Sequence, residues 1–137
     1  MVDDLTAQYI AQNQRCFENF QQAASQLAGL LLLAAAGSPE ATPDHPALAG
    51  ARALFREAED ALRRARPTDR SREHHEHIQR AAEMIGTALK DTGGALDVDR
   101  VLIPLRAGYA ELERAVDALP GFEKISYARA CCGVRLP

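Results

Sequence analysis

Apolar residues recur at steps of three and four along four segments of this chain, the spacing that gathers side chains on one face of an α-helix. In the first, from near Asp4 to Ala36, the shared face carries Tyr9, Cys16, Phe20, Ala23, Leu27, Leu30 and Ala34, and Gly37 ends the helix. The second, about His45 to Ala65, turns Leu48, Ala51, Phe55, Ala58, Leu62 and Ala65 inward. Its opposite face carries Arg52, Arg56, Glu59, Asp60 and Arg63, which reads as an ordinary solvated surface rather than a binding stripe. The third, about Arg70 to Lys90, offers Ile78, Ala81, Ala82, Ile85, Ala88 and Leu89, and the same phase run backwards lands on His74. The fourth, about Asp97 to Leu119, has the stripe Val98, Leu102, Leu105, Tyr109, Leu112, Val116 and Leu119. Pro104 should kink it, because its ring removes an amide donor and crowds the carbonyl four residues earlier; the alternative is a helix that starts near Pro104.

The connections fit these four helices. Residues 37–46 hold Pro39, Pro43 and Pro46 with no apolar period, which predicts one long loop, with Asp44 available to cap the second helix and Pro46 in its first turn. Pro67 stops the second helix, and Thr68 or Asp69 is placed to cap the third. So short a link implies antiparallel neighbours. The sequence therefore predicts an all-α protein, an antiparallel up-down-up-down four-helix bundle occupying residues 1–137 as a single domain. Pro120-Gly121 ends the last helix, and the residues after it fit neither the helical nor the strand period, which predicts a short C-terminal helix or strap. Phe122, Ile125, Tyr127, Val134 and Leu136 make that tail too apolar to stand free in water, so it should pack on the bundle or on a partner.

Composition narrows the function classes. The net charge of −3 is built from interspersed signs, so there is no basic field to gather phosphates and nucleic acid is not an expected partner. The strongest apolar run, Leu27 to Ala36, is about half of the roughly 20 residues that cross a bilayer, so no membrane span is expected. Asp3, Asp4 and Glu18 precede that run without a compact basic segment, which argues against a secretory leader. Three cysteines, an odd number, then suggest reduced thiols and a cytoplasmic protein.

Candidate chemistry is sparse. No serine elbow is recognisable, and Gly93-Gly94 follows a helix and reads as a turn, not as a phosphate cradle. Alternating the helices up and down brings the starts of helices 1 and 3, the end of helix 4 and the tail to one end. Cys16, His74, His77, Cys131 and Cys132 all belong there. Imidazole and thiolate suit Zn or Cu, and His74 and His77 stand three apart on one helix, a chelating interval. Each residue also has a plain structural reading: a polar first turn for the histidines, a small buried hydrophobe for Cys16, and simple free thiols for the adjacent pair. Strong stripes with little chemistry point to a non-enzymatic bundle that acts through protein association, as a homo-oligomer with the tail as the contact. The competing expectation is a metal- or thiol-redox-responsive bundle built on the His and Cys cluster.

Overall fold

A computed structural model describes residues 3–93 and 96–119. Four helices follow one another: α1 (Asp4–Ala35), α2 (Pro46–Arg64), α3 (Arg72–Lys90) and α4 (Val98–Ala118). Among the described residues there is no strand and no helix long and apolar enough to cross a membrane. The expected C-terminal helix or strap, with Cys131 and Cys132, lies outside the described residues.

Local chemistry sets the helix ends. Asp3 Oδ1 accepts the Thr6 amide at 2.7 Å, and that bond holds the Asp3 carboxyl below its ordinary range. At the other end of α1, Gly37 takes φ +76°, the left-handed backbone that a Cβ disfavours. The Ser38 amide donates to Leu33 O and the Gly37 amide to Ala34 O, a Schellman closure that satisfies two terminal carbonyls. Helix α2 is capped by His45, whose Nδ1 accepts the Ala47 amide at 3.1 Å, not by Asp44. The imidazole of His45 is one residue nearer the Pro46 start, within reach of a free amide. Helix α3 starts one residue after Ser71, later than Thr68 or Asp69 would place it. The Thr68 amide donates to Ser71 Oγ at 2.7 Å and the Ser71 amide to Thr68 Oγ1 at 3.3 Å, so the two residues satisfy each other reciprocally. Asp97 caps α4, which runs from Val98 through Pro104 without interruption; the helix does not wait for the proline.

Cross-helix contacts fix the topology. Cys16 meets Ala58, Phe20 meets Phe55 and Gln26 meets Gly50, so α1 and α2 are antiparallel. His77 meets Glu111, Ile85 meets Gly108 and Asp91 meets Arg100, so α3 and α4 are antiparallel as well. Tyr9 reaches His74 and Ser25 reaches Tyr109, which stacks the first hairpin on the second through α1. The predicted four-helix bundle is the observed fold, but its seams are unequal. The α1–α2 and α3–α4 seams are extensive, α1–α4 is smaller, and α2 and α3 touch only sparsely.

The core is built of Phe17, Phe20, Leu27, Leu30, Leu48, Ile85, Val101 and Leu105, with Ala23, Ala24, Ala51, Ala58, Ala81, Ala88 and Ala115 at the close approaches. Each large apolar side chain so buried contributes about 1.5–3 kcal/mol. In α4 the buried line is Val101, Leu105, Gly108, Glu111, Leu112 and Ala115, rotated from the bulky stripe that the sequence suggests. Small residues explain the rotation. A Cβ on Gly108 would stand 2.7 Å from Ile85 Cγ1, so α4 turns Gly108 to α3 for a close approach, and Leu102, Tyr109 and Val116 become half-buried flanks.

Candidate functional site

At the end where α1 and α3 begin, polar groups are sealed into the bundle. Thr6 Oγ1 lies 2.8 Å from Thr68 Oγ1, which in turn lies 3.1 Å from Ser71 Oγ, and both Thr6 and Ser71 are fully buried. One turn further in, the Tyr9 hydroxyl stands 2.9 Å from His74 Nδ1, and the phenol donates there when the imidazole proton sits on Nε2. Burial pushes the His74 pKa down to about 4, helped by the neighbouring His75 and His77, so the ring is neutral near pH 7. Burial likewise depresses His75, whose Nδ1 is buried without a hydrogen-bond partner among the described residues.

His77 and His74 turn to different helices. Whereas His74 faces Tyr9 and Phe17 of α1, His77 Nδ1 stands 3.0 Å from Glu111 Oε1 of α4. Arg80 Nε, at 3.3 Å, and Arg114 Nη1, at 3.2 Å, also donate to the Glu111 carboxylate. Burial alone would raise the Glu111 pKa, but the hydrogen bonds and charge of His77 and Arg114 outweigh it and hold the carboxyl below its usual value. This cluster is an ion-pair clasp between α3 and α4, with one acceptor serving three donors.

Cys16 points elsewhere again. Its thiol donates to Ala58 O of α2 at 3.2 Å, and burial pushes its pKa up to about 12, far from the thiolate that metal binding or redox attack requires. The i to i+3 histidine pair therefore does not converge, and Cys16 is turned toward α2. Among the described residues no group of three or more His, Cys, Asp or Glu is placed to hold a metal ion.

The feature that sequence reasoning passed over is the sparse α2–α3 seam. There an open groove of about 890 Å³ runs between the two helices. Phe55, Leu62, Ala82, Gly86 and Leu89 supply its apolar lining, and Arg52, Arg56, Glu59, Arg63, Glu83 and Lys90 its charges. Four of the α2 residues expected to be solvated, Arg52, Arg56, Glu59 and Arg63, thus line a concave surface. Phe55 and Leu62, expected inward, are only half-buried, because α2 and α3 meet so sparsely. Gly86 makes the depth: a Cβ there would stand 3.1 Å from Phe55 Cζ, so the ring lies almost against the α3 backbone. Arg52 ties the upper end, donating to Leu89 O at 3.1 Å and Thr92 Oγ1 at 2.8 Å. The one sequence signal for this groove is Gly86, a residue without a side chain in the middle of an otherwise regular helix.

Comparison with known proteins finds no matching family model, no matching curated protein and no matching solved structure.

Proposed function

We propose that this protein is a non-enzymatic helical bundle that acts by protein association, with the α2–α3 groove as the docking face for a helix of its partner. The carrying observation is the open seam itself. Helices α2 and α3 leave Phe55 and Leu62 half-covered beside Ala82, Gly86 and Leu89, in a concave surface of binding-site size. Its lining residues recur at helical intervals on both walls, from Arg52 to Arg63 and from Gln79 to Lys90, a length of about 16 Å at 1.5 Å per residue. A groove of that form matches an amphipathic helix of three turns, laid in as a fifth member of the bundle. It is too open to enclose a small ligand on all sides. Self-association through this face, in which the inserted helix belongs to a second copy, differs from the homo-oligomer expected from the sequence, whose contact is the tail.

The test is titration of the isotopically labelled protein with a synthetic 14-residue amphipathic helix whose polar face is all Gln. Amide shifts should concentrate at Phe55, Leu62, Ala82, Gly86 and Leu89 and vanish in a Leu62→Glu variant whose helicity is intact. Shifts scattered over α1 and α4, or no shifts at millimolar peptide, would sink the proposal. Sedimentation over the same concentration range reports whether a second copy competes for the groove.

A further inference from the structure

The charges along the groove are not evenly distributed, and their arrangement bears on the partner. Because Arg52 meets Leu89 and Phe55 meets Gly86, the antiparallel pair places Arg52 and Lys90 together at the upper end, with Arg56 next to Phe55 at mid-groove. Both carboxylates of the lining, Glu59 and Glu83, fall below Phe55 and Arg56, in the half that also holds Arg63. Arg63 is already engaged, by Glu59 and by Asp60. At the upper end the guanidinium of Arg52 is spent on Leu89 O and Thr92 Oγ1, neutral acceptors, while Arg56 and Lys90 have no ion-pair partner among the described residues. Three cations without an ion-pair partner among the described residues therefore run from the upper end to the middle of an apolar trough, in a protein whose net charge is −3.

We infer that the groove takes an amphipathic helix with acidic residues towards one end, seated over Arg52, Lys90 and, next inward, Arg56, and an apolar stripe over Phe55, Leu62, Ala82 and Leu89. This rests on the proposed docking role and adds the chemistry of the partner. Charge complementarity at the rim selects among helices that all share the apolar stripe, and it does so by steering and by rejecting basic competitors. The acidic end should be the N-terminal one, where carboxylates also complement the partner's own helix dipole. The chain's own residues 120–137 are a poorer match, since Lys124, Arg129 and Arg135 outnumber Glu123. A second copy would bring its own cationic upper end to the same face.

The experiment compares three synthetic 14-residue helices with one leucine stripe: two Glu in the first turn, two Lys there, or Gln throughout. Fluorescence anisotropy against the full chain at low salt should rank them Glu, Gln, Lys, with on the order of tenfold between the first and last, narrowing as salt screens the pairs. The double variant Arg56→Glu, Lys90→Glu, at solvent-facing positions and checked by thermal melting, should invert that order. Equal affinity for all three peptides, with shifts still in the groove, overturns the acidic inference and leaves docking standing. No binding by any peptide removes both. Stoichiometric binding of dodecanoate without peptide binding would likewise overturn it, in favour of a small anionic amphiphile.

Discussion

Gly108 lies so close to Ile85 that an added Cβ would stand 2.7 Å from Ile85 Cγ1. The contact is between a helix backbone and a fully buried branched side chain, so the collision has no flexible tip to absorb it. Gly108→Ala should therefore destabilise the protein by about 1–2 kcal/mol, the overpacking outweighing the roughly 1 kcal/mol that alanine gains in a helix. Gly29 is the control. It is exposed in α1 with nothing within 4 Å of its missing Cβ, so Gly29→Ala should stabilise by about 0.5–1 kcal/mol. Urea unfolding of both variants checks the pair, and a stabilised Gly108→Ala would show that α3 and α4 are not in the contact described.

Acid should weaken the fold in a defined window. The folded pKa of His74 is depressed to about 4 from 6.5, so the unfolded chain takes up its proton first and stability falls as pH drops from about 6.5 towards 4. His75, also depressed, acts in the same sense. Glu111, held below its ordinary value, adds a further loss only at lower pH, once its carboxylate is protonated. At about 1.4 kcal/mol per pKa unit, His74 alone accounts for a few kcal/mol between neutral pH and pH 4. Denaturant midpoints measured from pH 8 to pH 4 should decline mainly below pH 6.5. A flat profile would place His74 in contact with water.

Cys16 should be inert until the protein opens. With Cys131 and Cys132 changed to Ser, native protein should react with a thiol reagent at the rate of unfolding and not at that of a free thiol, since the Cys16 sulfur is buried and protonated. Zinc affinity of the otherwise unaltered chain should not change with Cys16→Ala. A measurable loss of zinc would restore Cys16 to the metal reading.

Removing the acceptor of the α3–α4 clasp should be costly. Glu111→Gln leaves His77, Arg80 and Arg114 facing a neutral amide in a buried position; a hydrogen bond to a charged group contributes about 1.5–3 kcal/mol, less where the partner arginine is exposed to water, as Arg80 and Arg114 are. A net loss of about 1–3 kcal/mol is expected by thermal unfolding. The effect should shrink in a His77→Ala background, because the two residues share one network.

Four helices and most of their inward faces are legible in the spacing of apolar residues, because a long stripe at steps of three and four has few other solutions. In α3 the stripe run backwards even finds His74, which is 1% exposed. Seam quality is not legible that way. Phe55 and Leu62 look inward in the pattern but are half-covered, since the pattern shows which face is apolar and not how near the next helix comes. The same blindness moves the buried line of α4 onto Gly108 and Ala115, where bulk is absent and approach is close. The His and Cys grouping follows from topology alone, which places residues at one end without saying which neighbour each side chain meets. Cys16 meets Ala58, His74 meets Tyr9 and His77 meets Glu111.

The unequal seams also bear on how the chain reaches its fold. Helices α1 and α2 are consecutive, as are α3 and α4, so the two richest interfaces join neighbours along the chain and each hairpin closes only one short loop. Local pairing of this kind gives low contact order and rapid folding. The sparse α2–α3 contact adds little to the rate, and docking of the two hairpins falls to α1, where Tyr9 and Ser25 find His74 and Tyr109 across the longest separations in sequence. Substitutions inside either hairpin should slow folding, whereas those at the Tyr9–His74 and Ser25–Tyr109 junctions should chiefly hasten unfolding.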